Sequence, residues 1–367
     1  PDLDCSDRSR VANWEHLLGE ALIHLSEYNA AGSHLRRTLI LSHYPAPTSR
    51  PTALRRLAAQ ILIQAAHRVW PTRRAGSVDA PARLDLTRAA AAQKRLAEVA
   101  WFNDDLLQML CGILTSLNLA ERAGATREMA DGYCSMGVVA GLAGLHALGR
   151  SYLRRSEAAV PIEQATTDLA RTSIVFGMSV GDWERVRRDG TRGCDAFHRL
   201  GDRFLWESCR GGLGFMHLLT GQFAESRRCF EEALESARYG ALQSRLWGYA
   251  GLCAVQLAVD GGVEESILVA YSAELERNVH QTETLVGRGL LGLAALRAGH
   301  PEVALANATQ GLELARRSLP SVYYALWGLA GACEVLLQAA SSHVRPEPAT
   351  GYRHRAHQAC AAFRRFA

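Results

Sequence analysis

Apolar positions along this chain recur three or four residues apart, in long runs broken by short polar turns, which is the period of amphipathic helices and not of strands. The runs come in pairs, a more apolar helix A followed by a helix B with one charged face. The clearest pair lies around Gly214: small residues at Gly214, Ser226 and Ala233 would let two helices approach closely. Gly221 is placed to end helix A in a left-handed cap, with Phe223 and Phe230 filling the wedge between the helices. The same arrangement recurs at Ala250-Gly251, with a turn at Asp260-Gly261-Gly262 and Ser266, and at Leu291-Gly292, with a turn at Gly299-His300-Pro301-Glu302 and Ala304. From Gly214 to Gly251 to Gly292 the steps are 37 and 41 residues, which suits one helical hairpin per repeat.

Weaker copies fill the remainder. Leu18-Gly19 leads to Tyr28, Ala31 and Leu35; Met136-Gly137 leads to Gly149 and Leu153; Ile174 leads to Gly181-Asp182-Trp183 and Val186. Residues 94–122 form a hairpin turning at Asn103-Asp104-Asp105, and the last pairs Tyr323–Gln338 with His354–Phe366. Two stretches break the period. Residues 71–84, with Pro71, Gly76 and Pro81, read as a loop after a helix from Thr52 to Trp70, and residues 341–351, with Pro346, Pro348 and Gly351, as a loop inside the final hairpin. The expected division is therefore residues 1–70 as N-terminal repeats carrying a basic stretch, 71–93 as a loop and helix start, 94–340 as a central array, and 341–367 as a loop and truncated last helix.

Composition sharpens this picture. The chain is 48% apolar and 21% charged over 367 residues, enough to bury an extended core. No window approaches a membrane-spanning apolar run. Cysteines at 5, 111, 134, 194, 209, 229, 253, 333 and 360 include no C-x-x-C and sit in apolar helical pattern, so they read as small buried hydrophobes in a reducing, cytoplasmic setting. The start, Pro1-Asp2-Leu3-Asp4, lacks a basic n-region and reads as an interior point of a longer protein, and Ala367 reads as falling short of a natural capping element. Lys94 is the only lysine, an arginine preference that reads as a GC-rich bacterial coding bias.

Leu18-Gly19-Glu20-Ala21-Leu22, the segment from Leu96 through Asn103-Asp104-Asp105 to Gly124, and Gly137-Val138-Val139-Ala140-Gly141 resemble the tetratricopeptide C-terminal region of large bacterial signalling proteins. In that family a class III adenylate/guanylate cyclase or a protein kinase domain is followed by a signal-transduction ATPase and then by helical repeats. The resemblance implies an all-α fold, a right-handed superhelical array of tetratricopeptide-like hairpins. It transfers no catalytic residue, because neither the cyclase metal aspartates nor a phosphate loop is present.

Candidate chemistry is sparse. Gly287-Arg288-Gly289-Leu290-Leu291-Gly292 matches G-x-G-x-x-G, but the glycines fall inside a helix, where they read as packing positions rather than a dinucleotide turn. His354, His357 and Cys360 share a helical spacing, yet Arg353 and Arg355 would oppose a cation, so the reading is a surface histidine pair and no metal. No nucleophile elbow or isolated carboxylate pair stands out, so no catalytic, cofactor or metal residue is named and the chain is read as non-enzymatic.

Two surfaces are expected to bind. Helix A positions line the concave face of such arrays, which places Val138, Phe215, Leu218, Leu252, Val255 and Leu293 there, or in the core between repeats, with Arg210, Arg245 and Arg288 at the rim. Residues 34–95 hold twelve Lys or Arg against only Asp79 and Asp85. Arg36, Arg37, Arg50, Arg55, Arg56, Arg68, Arg73 and Arg74 are its densest part, either a solvated face or a dock for an acidic domain; only Tyr44 and Trp70 supply aromatics, which disfavours nucleic acid. The expected function is a non-catalytic protein-interaction and regulatory scaffold. It would engage a protein or peptide partner, or adjacent domains of its parent chain, and self-association is compatible with it. The alternatives are a small-ligand sensor of the kind found in ATPase-type transcription activators and, less favoured, an RNA-binding helical array.

Overall fold

Aspartates that cap helices and glycines that end them divide this chain into short-linked helical pairs. The computed structural model describes residues 5–69, 79–160, 167–278, 280–317, 324–341 and 349–366, and among these it contains helices and no strand. The chain is thus all-α, and it separates into two compact units, residues 1–180 and 181–367. The boundary falls within the segment expected to form one central array.

The first unit contains α1 (Cys5–His24), α2 (Tyr28–Leu41), α3 (Arg50–Val69), α4 (Ala80–Phe102), α5 (Leu106–Ala123), α6 (Thr126–Leu142), α7 (His146–Ala159) and α8 (Thr167–Val180). The pairs α1/α2, α4/α5 and α6/α7 are antiparallel hairpins, and α8 packs on α6. Each hairpin is pinned by the same device. A hydroxyl on the second helix donates to the carbonyl of a buried alanine 26 residues earlier: Thr38 to Ala12 at 3.4 Å, Ser116 to Ala90 at 2.7 Å and Ser156 to Ala130 at 2.6 Å. A side chain larger than alanine there would hold the helices apart. Gly19 packs on Leu35 and Gly137 on Leu153 for the same reason.

Residues 80–84, expected within a loop, are helical. Asp79 accepts from the Ala82 amide at 3.0 Å and caps α4, and Pro81 falls in the first turn, where its missing N–H has no helical partner to lose. Residues 349–351, expected within the second loop, likewise open the last helix, while Trp70, expected to end the helix before the first loop, and loop residues 71–78 and 342–348, with Arg73 and Arg74, lie outside the described residues. Within 103–105, Asp104 adopts φ +56°, and Asp105 caps α5 through the Gln108 amide.

The second unit contains α9 (Trp183–Leu200), α10 (Arg203–Leu219), α11 (Phe223–Ala237), α12 (Leu242–Val259), α13 (Glu265–Glu276), α14 (Gln281–Arg297), α15 (Pro301–Arg317), α16 (Ala325–Ser341) and α17 (Ala349–Phe366). Asp182 and Asp202 cap α9 and α10 at the amides of Arg185 and Leu205. Gly221 ends α10 at φ +77°, where its amide and that of Gln222 bond back to the last turn. Ser226 donates to the Gly214 carbonyl at 2.8 Å, and the buried Phe230 ring fits a slot between Gly214 of α10 and Gly251 of α12. Phe223, the first residue of α11 and expected to share that wedge, is instead 36% exposed.

His280, at the start of α14, is buried, and burial lowers its pKa to about 4. The unfolded imidazole keeps an ordinary value near 6.5, so between the two values the unfolded state binds more protons. Its contribution to stability is intact above that window and falls as pH drops through it, by up to about 3 kcal/mol. Glu207 acts with the opposite sign, since burial raises its carboxyl and favours the folded state when protonated. His280→Gln is therefore expected to lose less stability than the parent chain between about pH 7 and pH 4.5, read as urea midpoints at each pH. Equal losses in the two proteins would assign the acid sensitivity elsewhere.

Candidate functional site

The helix A face of the second unit is occupied by its own side chains. Phe215 of α10 is buried, stacked on Tyr324 at 5.9 Å and tilted against Trp327 at 5.0 Å. Beneath them Glu283 is buried and accepts from Gln243 at 2.6 Å, Trp247 at 3.1 Å and Tyr324 at 2.7 Å, so α12, α14 and the start of α16 converge on one carboxylate. The backbones of α14 and α16 come this close because glycines meet there: a Cβ on Gly289 would lie 1.8 Å from the Gly328 carbonyl oxygen. The G-x-G-x-x-G run thus lies wholly within α14 and packs helices.

This geometry corrects part of the expected groove. Phe215, Leu252 and Val255 are core residues, removed from solvent by the convergence of these helices. Leu218 and Leu293 are half-buried, as is Val138, which packs on the Cys134, Leu153 and Phe176 cluster of the first unit. The arginines expected at a rim serve the fold. Arg210 bridges Glu232, Arg245 forms a two-point pair with Glu274 at 2.8 and 3.2 Å while donating to the Gly240 carbonyl, and Arg288 donates to Asn307. Sequence spacing cannot distinguish a concave-face arginine from one that locks two helices together.

The basic stretch is likewise largely consumed. Arg37 pairs with Glu15, Arg56 donates to the Pro45 carbonyl, Arg68 lies over the Tyr152 ring at 4.3 Å, Lys94 pairs with Asp131, and Arg95 pairs with Glu20 and Glu98. Arg36, Arg50 and Arg55 are exposed. Eight free cysteines are described, six of them buried. His354 and His357 are exposed, Gln358 donates to the His354 ring at 2.7 Å, and no group of metal-holding side chains is found among the described residues.

The feature that sequence reading missed is the orientation of α3, the helix expected from Thr52 to Trp70. This helix stands outside the hairpins and lies on α5, but with its polar edge inward. Gln60, Gln64 and His67, spaced i, i+4 and i+7, face the first unit. Gln64 Nε2 donates to Asn118 Oδ1 at 2.8 Å and Glu121 Oε2 at 3.1 Å; His67 meets the same carboxylate oxygen at 2.5 Å; and Asn118 donates back to Gln60. Tyr133 of α6 donates to the other oxygen of Glu121 at 2.5 Å. The opposite face carries Leu54, Ile61, Leu62 and Val69, each 52–70% exposed, with Ala58 and Ala65 between them. A helix in water normally buries its apolar stripe, and this one displays it. The inverted pattern was available in the sequence as a polar i, i+4, i+7 edge opposite an apolar stripe. Which edge faces inward depends on Asn118 and Glu121, more than fifty residues away.

A second exposed stripe, Trp14, Leu17 and Leu18, runs along α1, with the exposed Leu25 just past its end. Among the described residues no helix is long and apolar enough to cross a membrane. No family model matches the chain, and no curated protein is significantly similar to it.

Proposed function

We propose that this chain is a non-catalytic interaction scaffold of tetratricopeptide character, working in a reducing cytoplasm, and that it docks a partner protein along α3. The observation that carries this reading is the inverted helix, since contiguous exposed apolar surface of this kind marks interaction sites. The occupant argued from charge is an amphipathic helix with an acidic flank: α3 contains no Asp or Glu, and Arg50 and Arg55 are exposed beside the stripe. Such a helix could belong to a separate protein or to a neighbouring domain of a longer parent chain, as the signalling-family resemblance implies.

Two leucines leaving water at such a contact are worth about 1.5–3 kcal/mol each. Leu54→Ser/Leu62→Ser is therefore expected to weaken a partner crosslinked through a photoreactive residue at Ala58 by well over tenfold, with the far-UV helical signal unchanged. Arg55→Glu should lower affinity further, and the parent interaction should fade with salt, since exposed charges are screened over about 8 Å at physiological ionic strength. Unaltered binding by the folded double variant would move the contact elsewhere. Reproducible ATP or GTP turnover by the purified chain would defeat the non-catalytic reading.

A further inference from the structure

Where α1, α4 and α6 meet, the first unit leaves a partly enclosed cavity of about 220 Å³. It opens because α4, which also lines it with Lys94 and Arg95, carries alanine at 90 and 91, where a larger side chain would fill the space. That volume greatly exceeds the roughly 30 Å³ share of one water and lies below the ~300 Å³ at which drug-sized pockets begin, so it suits a small molecule.

The rest of the lining is polar and of both signs. Two ion pairs form the walls, Lys94 with Asp131 at 3.2 Å and Arg95 with Glu20 at 2.9 Å. His16 adjoins the second pair, its Nε2 3.7 Å from Glu20, and two further lining groups, Arg127 and Glu128, stand apart from both pairs. His16 Nδ1 is sealed from solvent and has no hydrogen-bond partner, although a buried polar atom ordinarily has one. Arg127 is exposed at the mouth and forms no ion pair with a described residue. Glu128 is half-buried, and its carboxyl meets no cation within ion-pair distance among the described residues. Burial lowers the His16 pKa, with Glu20 opposing and Arg95 and Arg88 reinforcing. Burial also raises the Glu128 carboxyl and Asp131 adds to that, against its own backbone amide, Arg127 and Lys94, which lower it. A ligand ammonium beside Glu128 would add to the relief that Arg127 and Lys94 supply.

We propose that this cavity is a binding site for a small zwitterion of the amino-acid class, with its carboxylate on Arg127 and its ammonium on Glu128. A simple anion would face Glu20, Glu128 and Asp131, and a simple cation would face Lys94, Arg95 and Arg127. Only a ligand carrying both charges is complementary to a lining that holds three of each. Arg127 and Glu128 belong to the first turn of α6, so the helix N-terminus adds favourable partial charge near the ligand carboxylate. The site is independent of α3 and of any protein docked there.

The test is a thermal-shift screen of the full chain against the twenty common amino acids, with acetate, phosphate and methylammonium at equal concentration. At least one amino acid is expected to raise the melting temperature where acetate, phosphate and methylammonium do not, with calorimetry showing at least tenfold tighter binding than either half-charge. Arg127→Ala, Glu128→Gln and the cavity-filling Ala91→Leu should each abolish that shift. Arg127 is exposed, so at least this variant is expected to keep the parent melting temperature without ligand. No response to any amino acid would show a cavity filled by water alone. An equal response to acetate or phosphate would make it an anion site, and a shift that survives all three substitutions would place the ligand elsewhere; each result overturns the proposal.

Discussion

Gly289→Ala is expected to destabilise the second unit by about 3 kcal/mol or more, at or beyond the upper end of the cost of overpacking a core. The added methyl would sit 1.8 Å from the Gly328 carbonyl oxygen and 2.4 Å from its Cα, distances that no carbon occupies. Reciprocal contacts deepen the effect. A Cβ on Gly328 would meet Val286 Cα at 2.5 Å, and one on Gly331 would meet the Gly289 oxygen at 2.4 Å. Every obstructing atom is backbone, so no rotamer change can absorb the methyl and the helices α14 and α16 must separate. Separation would also unstack Phe215 from Tyr324 and pull Tyr324 from Glu283. Gly211→Ala supplies the contrast. It is a helical glycine with nothing within 4 Å of the added carbon, and it should stabilise by up to about 1 kcal/mol through helix propensity. Urea denaturation of both variants checks the pair, and a Gly289→Ala protein as stable as Gly211→Ala would show that α14 and α16 do not touch through their glycines.

The second large effect concerns Glu121, whose removal should free α3. Both oxygens of this buried carboxylate are engaged, by Gln64 and His67 on one and by Tyr133 on the other. Glu121→Ala leaves three polar groups facing an apolar gap at about 1–3 kcal/mol each, so a total loss of several kcal/mol is expected. Because α3 has only Ala53 and Gln64 buried along its length, that loss should be felt first as detachment of α3, while the α4/α5 and α6/α7 hairpins persist. Hydrogen exchange is the measurement: amides of α3 should exchange much faster in Glu121→Ala, with α6 little changed. Glu231→Ala, at an exposed carboxylate, should leave both untouched. Unchanged protection of α3 would mean that Leu57 and its apolar neighbours, rather than the polar edge, hold the helix down.

Much of the hairpin architecture was legible because it depends on steric size at nearby positions. Gly214, Ser226 and Ala233 are small where α10 and α11 touch, Gly19 faces Leu35, and Gly137 faces Leu153. The alanine-to-hydroxyl spacing of 26 residues in Ala12–Thr38, Ala90–Ser116 and Ala130–Ser156 was equally present in the sequence, but a reading keyed to glycine passed over it. The start of α4 was obscured because Pro81 counts as a helix breaker everywhere except the first turn.

What the sequence determined by itself was the helical class, the pairing of neighbouring helices and the packing role of the glycines in Gly287–Gly292, since each rests on periodicity or on side-chain volume within some forty residues. The tertiary structure decided where the described candidate residues Phe215, Leu252, Val255, Arg210, Arg245 and Arg288 are placed. Whether Phe215 lines a groove or fills one depends on Tyr324 and Trp327, and whether Arg245 meets a partner or Glu274 depends on how α12 and α13 cross. It also decided that α3 turns its glutamines inward and that Ala91 leaves a cavity between α1 and α6. Burial and charge pairing are properties of neighbours, and neighbours distant in the chain are set by how the helices stack, which no local pattern of residues records.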